Sequence, residues 1–211
     1  MKSKNGWKNK VGNHFFLFLY YNKKGDTMGL FNNTIYITLQ LNAKLQPLDR
    51  GDFEDAIEPI IKKNQYGEIT GGGTFLLPTK EIACCEIEFK IYKNKINDFI
   101  SFLKQIKLIP KGSKILYDDS EIEIGMTEGL GLYLNGTDLP IETYKNSDIN
   151  ELISKLDSVL EKEGIRLSHY EGEKETALYY YGNDFNTMKD KIKPILETHP
   201  LCEKCRVVQI A

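Results

Sequence analysis

Apolar positions along this chain recur with two periods, every second residue and every three to four residues, and the succession of the two is itself repeated. The run Thr34-Ile-Tyr-Ile-Thr-Leu-Gln-Leu41 alternates apolar and polar side chains, which predicts a half-buried strand. It ends in Leu41-Asn42-Ala43 and meets a turn at Pro47. Gly129-Leu-Gly-Leu-Tyr-Leu134 alternates in the same way, ends in Leu134-Asn135-Gly136 and reaches Pro140. Helical spacing follows each strand: 52–64 carries Phe53, Ala56, Ile57, Ile60 and Ile61, and 148–163 carries Ile149, Leu152, Ile153, Leu156, Val159 and Leu160. An Asp or Ser stands at the start of each helix as a cap, and Gly67 and Gly164 stand where a left-handed closing residue is wanted.

Two further strands are expected in each half, 68–77 with 82–92 and 165–170 with 176–181, joined by short polar turns and so read as hairpins. A second helix comes next, 95–106 or 184–197, and beyond Pro110 or Pro200 a last strand, 113–117 or 206–210. The order β-α-β-β-α-β in both halves predicts an α+β fold of two tandem ferredoxin-like units with antiparallel sheets, 29–118 and 128–211, joined around 118–128. Pro59 and Pro194 fall inside their helices, which predicts a kink or a late helix start at each.

Composition narrows the class. The chain has 211 residues, 28 Lys+Arg against 30 Asp+Glu, and a net charge of −2, so no global cationic field exists to draw nucleic acid or an anionic membrane. The first 28 residues read apart from the rest. A basic opening precedes the apolar run 15–21, which is too short to span a bilayer and lacks a small-x-small cleavage site, so export is not expected. Lys23-Lys24-Gly25 can be encoded by a purine-rich run of ribosome-binding type a few codons before Met28, so Met28 is expected as the start and 1–28 as a tail of doubtful status. The four cysteines form no disulfide framework, and reduced thiols in a cytoplasm are expected.

Candidate chemistry is sparse. Glu68-Ile-Thr-Gly-Gly-Gly-Thr74 could cradle an anion on backbone N–H groups, but it lacks the phosphate-loop lysine and sits in a predicted strand, where glycine more often marks a bulge or a close backbone approach. If Gly71, Gly72 and Gly73 do form a ligand site, Asp49, Arg50, Glu68 and Thr74 are the side chains expected beside it. His199, Cys202 and Cys205 resemble half of a metal knuckle; four ligands are not in view, and the C-x-x-C does not open a helix as a redox pair would. Metal and cofactor are therefore not expected, and no nucleophile elbow or catalytic metal motif supports an enzyme. His169, beside Tyr170 and Glu171, reads as a half-exposed strand residue before it reads as an acid or base.

Aromatic residues carry the binding expectation. Leu130, Leu132 and Leu134 should face the helices, leaving Tyr133, Tyr170, Tyr179 and Tyr181 on the open side of the second sheet. Such tyrosines suit protein contact; equally, they suit packing of the two halves against each other. The acidic neighbours Glu171, Glu173 and Glu175 oppose RNA stacking there.

The segments Leu39-Gln-Leu-Asn-Ala-Lys-Leu-Gln-Pro-Leu-Asp-Arg-Gly51, Gly67-Glu-Ile-Thr-Gly-Gly-Gly-Thr74 and Cys205-Arg-Val-Val-Gln-Ile-Ala211 resemble a group of small uncharacterised bacterial proteins, over roughly Met28 to the C-terminus. The resemblance implies a bacterial origin and a Met28 start, and carries over no activity, cofactor or catalytic residue. The expected function is non-enzymatic binding of another protein, as small acidic immunity or adaptor proteins do. The alternatives are a sensor of the ACT type, holding a small metabolite or anion near Gly71 to Thr74 or near Asn42 and Asn135, and, behind it, an enzyme using the same hairpin.

Overall fold

The alternation at 34–41 forms the central strand of a sheet because its apolar half, Ile37, Leu39 and Leu41, has two antiparallel neighbours to pair with and helices to pack under. The computed structural model describes residues 34–211. The tail 1–28 and the Met28 start lie outside them.

The first half runs β1 (Thr34–Leu41), α1 (Pro47–Lys63), β2 (Gly67–Leu76), β3 (Ile82–Tyr92), a 3-10 turn (Lys93–Lys95), α2 (Ile96–Gln105), β4 (Ser113–Tyr117) and β5 (Ser120–Ile124). The second runs β6 (Glu128–Asn135), α3 (Ile141–Asn146), α4 (Ile149–Leu160), β7 (Gly164–Glu171), β8 (Glu175–Gly182), α5 (Phe185–Thr198), a 3-10 turn (Pro200–Cys202) and β9 (Arg206–Gln209). Two antiparallel sheets result, ordered β2-β3-β1-β4-β5 and β7-β8-β6-β9. Each sets its first strand between its third and fourth, with the second at an edge, and so fits a two-unit ferredoxin-like arrangement.

Two cores follow from the two helix layers. Phe53, Ile57 and Ile61 of α1 and Phe99 and Leu103 of α2 join the buried face of the first sheet, where Phe99 meets Phe89 edge-on at 5.0 Å. Leu152, Leu156 and Leu160 of α4 and Met188 and Ile192 of α5 cover Leu130, Leu132, Leu134, Leu178 and Tyr180. An Asp caps each of these latter helices: Asp148 accepts from the Asn150 N–H, and Asp184 from the Thr187 N–H.

The local expectations need four corrections. Helix α1 begins at Pro47, five residues before the expected 52. Proline needs no N–H at a first helical position, and the Gln46 N–H is met by Asp49 Oδ2 at 3.3 Å. The left-handed residue after α1 is Gln65, at φ 53°, rather than Gly67, and Gly164 opens β7 without a left-handed φ. Gly67 is required for another reason: at φ 151° a Cβ there would lie 1.9 Å from the Lys90 carbonyl oxygen. The joining segment is not plain linker, since Ser120 to Ile124 add a fifth strand through a turn with Asp118 at φ 47°. Both helices run on through Pro59 and Pro194, so neither starts late.

Candidate functional site

Side-chain alternation along β6 and β8 places Tyr133, Tyr179 and Tyr181 on the face away from α4 and α5, as the period of two requires. That face is covered. The 43–49 segment and the turn before β3 press against it, and all three tyrosines are buried with first-half side chains. Glu81 is the focus: one of its oxygens accepts from Tyr133 Oη at 2.6 Å and Tyr179 Oη at 2.9 Å and pairs with Lys44 Nζ at 2.8 Å. Lys44 Nζ also donates to the Ile82 carbonyl, and the Lys44 N–H donates to Tyr181 Oη. Tyr170 Oη donates to the Thr79 carbonyl at 2.7 Å. The tyrosines expected to meet a partner protein therefore join the two halves of this chain, because the open face of one sheet is apolar enough to be buried by the other half.

The electrostatics suit a lock rather than a reaction centre. Burial pushes Glu81 up, but the hydrogen bonds from Lys44, Tyr133 and Tyr179 outweigh it and hold the carboxyl below its ordinary range. Burial pushes Tyr133 up, and the Glu81 carboxylate pushes it further; burial and the neighbouring Tyr133 do the same to Tyr179. Both phenols thus stay protonated as donors, with no phenolate to act as base or nucleophile. A second polar patch lies nearby. Asp49 Oδ2 accepts from Ser168 Oγ at 2.6 Å, and the Gln46 N–H donates to the same serine. Burial raises the Asp49 carboxyl against the pull of that serine hydrogen bond. Serine and aspartate bond directly, with no imidazole between them; His169 faces Glu171 at 3.8 Å.

The glycine-rich strand divides its expected site residues between two faces. Gly72 and Thr74 pair with Ile87 and Cys85 on the helix side, where Arg50 Nη1 reaches Thr74 Oγ1 at 3.4 Å. Arg50 Nε donates to Glu54 at 2.8 Å, and this ion pair fills the space above Gly72, where a Cβ would stand 3.1 Å from Glu54 and 3.4 Å from Arg50. Glu68, Gly71 and Gly73 pair with Lys90, Glu88 and Glu86 on the opposite face, so Glu68 does not join Arg50 and Thr74. Residue 70 is the extra residue of a bulge between Ile69 and Gly71.

At the other end of the chain Cys202 and Cys205 come together, while His199 Nδ1 faces the Leu201 N–H. Among the described residues no group of three or more His, Cys, Asp or Glu is placed to hold a metal ion, and no helix is long and apolar enough to cross a membrane.

The feature that sequence reasoning missed is the solvent side of the first sheet. Cross-strand register sets Gly73, Glu86, Gln40, Lys114 and Glu123 in one row and Gly71, Glu88, Thr38, Leu116 and Glu121 in the next. Glu68, Lys90 and Tyr36 form a third. Five glutamates share this face with two lysines, and Tyr36 on it is 66% exposed. The signal was the polar half of the alternation, Glu86-x-Glu88 and Glu121-x-Glu123, which adds up only once the strand order is known.

No family model and no curated protein matches the sequence. Among solved structures the chain is similar to an unknown protein from Galdieria sulphuraria, at 11% identity and TM-score 0.28, over 84% of this chain and 98% of that one. It is also similar to a "putative monooxygenase" from Lactobacillus acidophilus NCFM, at 10% identity and TM-score 0.27, over 85% of this chain and 95% of that one. Likenesses at this level carry no argument about activity.

Proposed function

We propose that this chain is two ferredoxin-like units in tandem, of bacterial origin, that work as a cytoplasmic binding protein without catalysis. Its partner in this reading is a basic protein, taken on the acidic face of the first sheet in the manner of immunity or adaptor proteins. The observation that carries the reading is the clustering of Glu68, Glu86, Glu88, Glu121 and Glu123 around Lys90 and Lys114 in a chain whose net charge is only −2. Charge of one sign gathered on one face speeds encounter with an oppositely charged surface and rejects phosphate-bearing partners. The exposed Tyr36 adds an aromatic anchor of the kind that carries interface energy. Gly71 leaves room for the exposed Glu88, whose Oε2 would stand 3.2 Å from a Cβ there, while Glu86 accepts from Gln40 Nε2 at 2.8 Å. The phenols between the sheets serve this function indirectly, by holding the second half in place.

The test captures proteins from a bacterial lysate on the immobilised chain and then purifies each captured protein for titration. A basic partner should bind the wild-type chain with an affinity that falls as ionic strength rises. It should bind the Glu88→Lys/Glu121→Lys variant at least about tenfold more weakly, a loss of about 1.4 kcal/mol. Capture of no basic protein, or affinities indifferent to both changes, would overturn the reading.

A further inference from the structure

The C-x-x-C near the C-terminus does not open a helix, yet its backbone brings the two cysteines together by another route. Helix α5 ends at Thr198, a 3-10 turn covers Pro200–Cys202, and the Cys205 N–H then donates to the Cys202 carbonyl at 3.0 Å. Between them Glu203 lies at φ −58°, ψ 131° and Lys204 at φ 60°. Those are the dihedral ranges of a type II turn, which holds its first and fourth Cα atoms within about 7 Å and so close to the separation a disulfide spans. A lysine in the left-handed region is costly, and Lys204 is held there with its ammonium on the Asp138 carbonyl at 2.8 Å. Cys202 is 3% exposed within the second core, whereas Cys205 is only half-buried.

We propose that Cys202 and Cys205 are a reversible thiol–disulfide site, with Cys205 the attacking thiol and Cys202 the resolving one. The oxidant class is a low-molecular-weight disulfide such as glutathione disulfide. The Cys205 thiol gives its proton to water, and its sulfur attacks one sulfur of that disulfide. The disulfide bond breaks, one small thiolate leaves and takes up a proton, and a mixed disulfide remains on Cys205. Cys202 then loses its proton, attacks Cys205 Sγ and expels the second small thiol. Two protein thiols are oxidised and one small disulfide is reduced to two thiols. The neighbouring Cys202 thiol favours the first step, since it draws the Cys205 thiol down to about 7 and itself stays protonated.

The turn feeds β9, whose Arg206 forms a two-pronged pair with Glu175 and stacks 3.6 Å from the Tyr133 ring. Oxidation would fix the base of the strand that supports the contact between the halves.

The full chain is equilibrated with glutathione and glutathione disulfide in varied ratio, quenched with an alkylating reagent and mapped by peptide mass. Two of the four thiols should be lost together, as a Cys202–Cys205 disulfide, and returned by reductant. Cys202→Ala should instead accumulate one glutathione adduct on Cys205. Alkylation of Cys205 in the reduced wild-type chain should rise around pH 7, well below the onset at Cys84. A stable adduct on wild-type Cys205, loss at Cys84 ahead of Cys205, or no disulfide at any ratio would overturn the proposal. The wild-type mapping stands even if the Cys202→Ala variant fails to fold.

Discussion

Glu81 is a carboxylate asked to satisfy three donors at once, with its side chain and that of Lys44 each only 14% exposed. Truncating it would leave the Lys44 ammonium with only the Ile82 carbonyl and two phenols without their acceptor, and Glu81→Ala is expected to cost about 3–5 kcal/mol by urea unfolding. The pH dependence has a definite sign. A carboxyl whose folded value lies below its unfolded value contributes stability that is present above the unfolded value and lost as pH falls through the folded one. Asp49 is the opposite case: its folded value is raised, so its contribution is complete at low pH and fades as pH rises through that raised value. Unfolding free energies measured from neutral to acid pH should therefore lose part of their acid-side fall in Glu81→Gln. They should fall more steeply on the acid side in Asp49→Asn, which keeps an acceptor for Ser168 but no longer gains from protonation. An unchanged acid limb in Glu81→Gln would show that the carboxylate is not held as described.

Helix α1 illustrates how much of an element is written locally. Its apolar spacing at Phe53, Ile57 and Ile61 was legible, but its first turn was not, because Pro47 serves equally as turn former and first helical residue. What decides is Gln46, held by Ser168 and His169 of the other half, a contact no local pattern encodes. Strand β5 escaped notice for a similar reason: its five residues gain an identity only by pairing with β4. The tyrosines were legible as to side, by alternation, and illegible as to what covers them. Two glycines sharpen the distinction. Gly51, inside α1, has nothing within 4 Å of an added Cβ, so Gly51→Ala should stabilise the protein by about 0.5–1 kcal/mol and raise Tm by a few degrees. Gly72→Val should lower Tm with or without any ligand, since its Cβ would stand 2.5 Å from the Glu86 carbonyl oxygen and inside the Arg50–Glu54 pair. Calorimetry on the two variants reads both signs.

At the scale of the molecule, the first of the two cores is built from both halves. Tyr133, Ala177, Tyr179 and Tyr181 of the second sheet are buried with Leu39, Leu41 and Ile87 of the first half, and the Glu81 and Asp49 networks fasten the same seam. If burying an aromatic side chain is worth about 2–3 kcal/mol, these rings and their hydrogen bonds together rival the net stability of an ordinary domain, and neither half can open without exposing the other. Hydrogen exchange tests this directly. The slowest amides of β1 and β3 should report the same opening free energy as those of β6 and β8. Tyr181→Ala removes a buried ring and the acceptor of the Lys44 N–H, at a cost of about 3–5 kcal/mol, and should lower protection in both sheets by the same amount. A fall confined to β6 and β8 would mean that the second half opens alone, so that a partner on the acidic face of the first sheet could bind without it.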